Sequence, residues 1–569
     1  MNASSNNHLD SIFLSCGFSK IQSDGIHFTL TAQQGEIDCI YVYQNLIVLC
    51  EETTGKDSAS KHLPKKKLFH QAIRKSYDEF LEVYGSKNKE FKKFLDESEF
   101  HKDDLEFRHL YYSSVKDIDD SQSLEPFSLM SRESFRYFES TVKSIEKSAR
   151  FEVFKFLKIE LKDIGRNKIA GRPNNRAHHY FDAFILSGKQ SNYPEGFYVA
   201  SFYADPESLI SRSYVLRREG WVHPDISYQR VIKGTKLQEM RNHLSSDKKV
   251  YVNNVIVTLP SNTMVHKSID GRDETVDLST ITEVINAKIS LPEELGTVGI
   301  IDGQHRIFSY YEGNDEFDKT VRKIRPRQNL LVTGIIFPKD YNEEKRVRFE
   351  AELFLKINGT QSRVPKELRQ DIELIVEPLS PAAIAKSIIE RLATKGALKN
   401  QLRKSSFDAS NKVRTSSIVD FGLVPVACLE SKGANSLFKL WKSYKHEDVT
   451  EENLNDYIEF CTSELNEILH GVRENIDGKL WVAKAGRNQG LLSPTFINGM
   501  IICLRHAIED GYVRVSADGT ITKPDYNRSF KDIDIEMIRE HTSSTWAKLG
   551  KSIYESHIDV PKEEDAEEK

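Results

Sequence analysis

The 569 residues predict a multidomain protein of mixed helix and strand (α/β, α+β) that ends in a helical region, and three observations predict it. Three short runs of strand character, IHFTLT, IDCIYVY and LIVLCEE, lie close together near the N-terminus. Strand-like and helix-like segments then alternate from about residue 180 to residue 370. Beyond 370, helices with clear start and stop residues replace the strand signals. The length sets a prior of about three or four domains, and 39% hydrophobic residues are enough for real cores.

Each element has its own warrant. Ile26, Phe28 and Leu30 alternate with polar neighbours, the period of a half-buried strand. IDCIYVY and LIVLCEE, separated by Gln44-Asn45, read as a hairpin. A long helix follows, in which Leu63, Phe69, Ile73, Tyr77, Phe80 and Tyr84 recur at helical spacing opposite a charged face. FRHLYYSSV reads as a strand and SRESFRYFESTVKSIEKSARFEVFKFL as a helix. The glycine- and asparagine-bearing stretch IGRNKIAGRPNNRAHH, 164–179, marks the first boundary and gives a domain 1–165. YFDAFILS, GFYVASFYA, NNVIVTLP, GTVGIID and NLLVTGIIF supply the strands of a second α/β domain, 175–370.

Residues 371–556 form the helical region. SPAAIAKSIIERLATKG has Ser380 as N-cap, Pro381 in the first turn and Gly396 at the end. SPTFINGMIICLRHAIEDG repeats that grammar with Ser493, Pro494 and Gly511. The acidic tail 557–569 is expected to be disordered.

Composition excludes several classes. With 80 basic and 85 acidic residues, net −5, the chain is not a polycation, so nucleic-acid contact must come from local patches. The six cysteines form no C-x-x-C pair and sit mostly in apolar runs, as reduced core residues do. MNASSNNHLD lacks the pattern of a signal peptide, and no segment reaches the roughly eighteen apolar residues of a membrane span. A cytoplasmic protein with no membrane partner is expected.

Chemistry concentrates in the second domain. GIIDGQHRIFSYYEG, 299–313, passes from an apolar strand through Asp302, Gly303, Gln304, His305 and Arg306 into a helix expected to close on Gly313. A helix start after a strand exposes unpaired N–H groups and a positive dipole end, where anions dock. Two polar clusters bracket it. Tyr228-Gln229-Arg230 precedes a helix and the NNVIVTLP strand, and Asn358, Thr360, Gln361 and Arg363 end a helix carrying Phe349, Leu353, Phe354 and Ile357. The run KTVRKIRPRQ supplies Lys319, Arg322, Lys323, Arg325 and Arg327 as a candidate DNA-binding patch, and Arg403, Lys404, Lys412 and Arg414 form a second basic group.

This order of segments resembles the ParB/sulfiredoxin superfamily. More narrowly, Asp302-Gly303-Gln304-His305-Arg306 followed by FLKINGTQSRVPKEL resembles the DGQHR-domain proteins, which include the DndB-type proteins of DNA phosphorothioation loci. The resemblance implies that Gly303 and Arg306 hold the phosphates of a nucleoside triphosphate and that His305 donates to phosphate or carries a proton. Asp302 would orient the turn, or a water on a bound Mg²⁺. Gln229, Arg230, Gln304, Asn358 and Gln361 would complete the pocket. ParB-like proteins place a glutamate directly before the asparagine, where this chain has Ile357, which counts against a metal there. Glu350 and Glu352 are the nearest substitutes, and both read as a solvated helix face.

A second resemblance lies in the first domain. Asp38 begins one strand and Glu51 ends the next, and GEID…LIVLCEETT resembles the PD-(D/E)XK nuclease fold, in which such acids hold Mg²⁺ and a lysine two residues on activates water. Thr53 occupies that lysine's place. Lys56, Lys61 and Lys65-Lys66-Lys67 are the cations that could reach back, each with a simpler solvated role. Thr53 favours a degenerate nuclease fold kept as a DNA-holding or docking domain.

Together these readings lead to an expectation of a nucleotide-binding, nucleotide-hydrolysing, DNA-associated protein of a prokaryotic DNA-modification or anti-phage system, acting with other proteins of its operon. The alternatives are a metal-dependent DNA nuclease with the DGQHR domain as sensor, and a non-catalytic DNA- or protein-binding regulator.

Overall fold

The computed structural model describes residues 8–560 except 32, 54–58, 115–124, 166–179, 215–231, 233, 270–271, 293, 362–365, 404–410, 430–433, 485–489 and 543–544. The chain is a multidomain α+β protein with several sheets and a helical C-terminal region. It divides into two compact units, Met1–Asn358 and Gly359–Lys569. The domain read at 1–165 falls within the first unit, as does most of the one read at 175–370, and the helical region read from 371 falls within the second.

Unit 1 holds two principal sheets. The first contains β1 (Ser19–Ile21), β2 (Cys39–Tyr43), β3 (Leu46–Thr53), β4 (Glu106–Ser113) and β5 (Phe127–Met130), side by side in that order. The hairpin expected across Gln44-Asn45 is β2–β3, paired Cys39 to Cys50, and Gln44 takes a left-handed conformation (φ 54°). The strand read at 26–31 instead pairs Phe28–Leu30 with Gln33–Gly35 in a separate small hairpin. β3 and β4 are parallel, so the chain must cross over the sheet between them. That crossover contains α1 (Ala59–Lys75) and α2 (Tyr77–Lys87).

The single long helix expected here is therefore two. Ser76 leaves helical geometry and its side chain accepts from Glu79 N–H, an N-cap that starts α2. Phe69, Ile73, Phe80 and Tyr84 pack with Ile47, Leu49 and Phe107 into one core under the sheet.

The second sheet has nine strands: β6 (Tyr180–Leu186), β7 (Tyr198–Ala204), β8 (Ser213–Tyr214), β9 (Val255–Leu259), β10 (Met264–Ile269), β11 (Arg272–Thr275), β12 (Ile285–Ser290), β13 (Val298–Asp302) and β14 (Leu330–Ile336). Their order is β8-β13-β9-β14-β7-β6-β12-β10-β11. Four helices of this region matter below: α3 (Gly234–Asp247), α4 (Gln304–Phe308), α5 (Asp318–Ile324) and α6 (Glu343–Gln361).

Unit 2 is mainly helical. α7 (Pro381–Thr394) and α9 (Pro494–Glu509) begin as read: the Ser380 and Ser493 side chains accept from Ala383 and Phe496 N–H, with proline in each first turn. With α8 (Leu454–Glu474) and α10 (Trp546–His557) they enclose one large core that includes Trp441, Ile468, Met500 and Ile553. A Cβ on Gly550 would stand 2.5 Å from Gly499 O, so α9 and α10 touch backbone to backbone there. All six cysteines are buried and free. Among the described residues no helix is long and apolar enough to cross a membrane. The tail from 561 lies outside the described residues, as do 166–179 of the stretch read as the first domain boundary.

Candidate metal centre and the DGQHR turn

Strand pairing places the two acids. Cys39 opposes Cys50, so Asp38, one residue earlier, comes level with Glu51 across the hairpin. Glu51 in turn pairs with Tyr111 of β4. Alternation along the strand turns Leu49, Glu51 and Thr53 to one face.

Into this face α1 sends three side chains from successive turns: His62, Lys66 and His70. Lys66 Nζ lies 2.9 Å from Asp38 Oδ1 and 2.5 Å from Glu51 Oε2, and donates to Glu36 O at 3.0 Å. The cation that Thr53 does not supply is thus supplied by the helix. His62 is half-buried, its Nδ1 3.1 Å from the Tyr111 hydroxyl. One ligand atom each from Asp38, Glu51 and His62 lie within 4.8 Å of one another. Two carboxylates and an imidazole at that separation fit a divalent ion.

Solvation differs across the cluster. Asp38 keeps 25% of its side chain exposed, whereas Glu51 has none. Asp38 Oδ2 accepts from Glu52 N–H at 2.8 Å, which fixes the carboxylate on the hairpin. Burial, and then the Asp38 charge, push the Glu51 carboxyl well above the usual carboxylate range, with Lys66 working the other way. Burial opposes the Lys66 ammonium, but Glu51 and Asp38 outweigh it and hold its pKa above the ordinary lysine value. Burial, and then Lys66, lower His62, so its ring is neutral at neutral pH.

Behind Glu51 runs a relay of rings. His70 Nε2 is 2.7 Å from Glu51 Oε1, His70 Nδ1 is 2.7 Å from His109 Nδ1, and His109 Nε2 is 3.0 Å from the Tyr77 hydroxyl. Burial drives both imidazoles down, His109 to about 3, so both are neutral. With Glu51 ionised, one proton arrangement satisfies every contact: Tyr77 O–H donates to His109 Nε2, His109 Nδ1–H to His70 Nδ1, and His70 Nε2–H to Glu51. With Glu51 protonated, the same relay runs in reverse. Either way each ring nitrogen has its partner, which is the condition for burying a carboxyl this deeply.

The DGQHR turn is built differently from its expected role. Gly303 has φ +98°, and a Cβ there would meet the Arg306 guanidinium at 3.0–3.1 Å and Val255 at 3.1 Å. Arg306 Nη2 donates to Asp302 Oδ2 at 2.9 Å and to Asn254 O at 2.7 Å. Asn358 Nδ2 donates to Ile301 O at 3.3 Å and to Phe354 O at 3.1 Å. Asp302, Gly303, Arg306 and Asn358 therefore meet at the end of β13, largely by bonding one another and the backbone. Gln304 and His305 are half-buried on α4. Gln304 Oε1 and Arg306 Nε are buried without a hydrogen-bond partner among the described residues.

α4 ends at Phe308 rather than reaching Gly313, because the following carbonyls are taken by arginines. Arg241 of α3, fully buried, donates to Ser309 O and Tyr311 O and pairs with Asp315. Gln229 and Arg230 lie outside the described residues, and Gln361 ends α6 with its side chain outside them.

Two further expectations change. Glu350 is not on a solvated face: it is 2% exposed, and its Oε1 accepts from Tyr214 OH, Thr258 Oγ1 and Arg346 Nε, which ties α6 to the sheet. Arg325 does not belong to a DNA-facing patch. It is 8% exposed and donates to Tyr310 O at 2.6 Å and Tyr311 O at 3.0 Å. Lys319, Arg322, Lys323 and Arg327 are exposed.

Compared with known proteins, the chain matches no family model, no curated protein and no solved structure. Fold class and site therefore rest on the chain's own residues.

Proposed function

We propose that the protein is a metal-dependent nuclease acting on DNA, with the DGQHR region as its regulatory part. The observation that carries this is Lys66 Nζ between Asp38 and Glu51, which removes the objection raised by Thr53. The hairpin followed by a helical crossover into a parallel strand also agrees with the PD-(D/E)XK resemblance. Asp38, Glu51 and His62 would hold a divalent ion, which when bound supplies Lewis-acid activation of the phosphodiester and of the attacking water. Lys66 sets an ammonium where negative charge builds on the phosphate. His70 and His109 fix the Glu51 carboxylate so that Oε2 faces the site. The exposed cations Lys319, Arg322, Lys323 and Arg327 support DNA as the substrate.

A second reading keeps the nucleotide site. Gly303 in left-handed geometry against the Arg306 guanidinium, with Gln304 Oε1 and Arg306 Nε lacking partners among the described residues, favours a bound nucleoside triphosphate whose binding or hydrolysis controls the nuclease. Such control suits a DNA-modification or anti-phage system.

The test is nicking of supercoiled plasmid with Mg²⁺ or Mn²⁺ by the parent, Glu51→Gln and Lys66→Met. Thermal-shift measurements with ATP, GTP, CTP and ADP test the second reading, because a ligand stabilises the state that binds it.

A further inference from the structure

We propose that His62 is a ligand of this centre and that it selects a first-row transition ion such as Mn²⁺ over Mg²⁺; the inference deepens the metal-centre reading above and rests on it. Mg²⁺ is hard, prefers oxygen donors and keeps most of its water, whereas imidazole nitrogen suits transition ions. A site of Asp38 and Glu51 alone would be one for a hard ion. The third donor on the same face is an imidazole, within 4.8 Å of both carboxylates.

Position and support favour a ligand over a chance neighbour. His62 stands one helical turn before Lys66, whose ammonium already bridges both carboxylates, so the backbone aims both side chains at the same charge. The Tyr111 hydroxyl at His62 Nδ1 is the kind of second contact that orients a ligating ring. Tyr111 is itself the register partner of Glu51, so ring and carboxylate are braced by one strand. Three protein donors would leave room on a bound ion for water and phosphate.

The ligand shows in binding and spectroscopy without any activity measurement. Mn²⁺ titration of the full chain by electron paramagnetic resonance, with Mg²⁺ as competitor, should give Mn²⁺ affinity at least about tenfold above Mg²⁺. Bound Mn²⁺ should show electron spin-echo modulation from a ¹⁴N nucleus. His62→Ala should lose that modulation and weaken Mn²⁺ by about 10–100-fold, at least the cost of losing an outer-shell partner, while Mg²⁺ affinity changes little. His62→Asp should shift preference toward Mg²⁺. Equal affinity for the two ions, or no ¹⁴N coupling in the parent, overturns the role of His62 even if the alanine variant fails to fold. Loss of both ions in Glu51→Gln with no effect of His62→Ala would leave the metal centre standing and remove this inference alone. Failure of the parent to bind either ion would remove both.

Discussion

Replacing Lys66 by methionine separates a catalytic cation from a merely structural one. The side chain keeps most of its length and an apolar stem but loses the charge shared by Asp38 Oδ1 and Glu51 Oε2. Removing one partner of a buried ion pair costs about 3–5 kcal/mol, because the other charge is left uncompensated. Here Glu51 is fully buried but Asp38 is a quarter exposed, and Glu51, with its raised pKa, can take up a proton through His70. Both effects soften the loss, so about 3 kcal/mol is expected. Divalent-ion binding should move in the opposite sense. The ammonium competes for the same two oxygens, so its removal should tighten Mn²⁺ by about tenfold, equivalent to about 1.4 kcal/mol.

Cleavage should still fall by about 10²–10³, the effect of losing one stabilising donor. Hydrogen exchange of β3 and β4 reads the local stability directly. Tryptophan emission would not serve, since of Trp221, Trp441, Trp481 and Trp546 three lie in unit 2. A variant that exchanges as slowly as the parent, or that binds Mn²⁺ more weakly, would refute the bridging role.

Four other outcomes are expected. Glu51→Gln keeps shape and hydrogen bonding but should abolish divalent binding in the same resonance titration, with circular dichroism unchanged. For His109, the unfolded ring binds a proton below pH ~6.5 and the folded ring only near 3. The unfolded state therefore gains a proton across that window, and unit 1 should lose up to about 1.4 kcal/mol of stability per pH unit as pH falls; denaturation of His109→Gln between pH 4 and 7 should show a flatter dependence. Arg306→Ala should abolish any nucleotide-induced thermal shift, and should also destabilise the β13–α4 turn by about 1.5–3 kcal/mol by removing its charged bond to Asp302. Neutralising Lys319, Arg322, Lys323 and Arg327 should flatten the salt dependence of DNA binding by about 0.9 for each phosphate that no longer meets a cation; an unchanged slope in fluorescence anisotropy would move DNA to another surface.

Local chemistry is legible in the sequence and long-range partnership is not. The β2–β3 hairpin and the starts of α7 and α9 follow from alternation, turn residues and serine caps, which act within a few residues. The break at Ser76 is hidden because α2 continues the apolar face of α1, so Ile73, Phe80 and Tyr84 keep their spacing across it. His62 and His70 do carry a signal: each stands four residues from Lys66, hence on its face. Arg325 likewise follows buried Val321 by one turn, which places it inward while Arg322 and Lys323 point out. No pattern could have given the His70–His109 contact, since 39 residues and a crossover separate the two rings.

The most direct test is plasmid cleavage by the full-length protein in Mn²⁺ and in Mg²⁺, with and without nucleoside triphosphate, beside Glu51→Gln and Lys66→Met. Nicking by the parent, strongest in Mn²⁺ and lost in Glu51→Gln, is the expected result. No cleavage by the parent in either ion, with or without nucleotide, would contradict the assignment of Asp38, Glu51 and Lys66 as a nuclease centre.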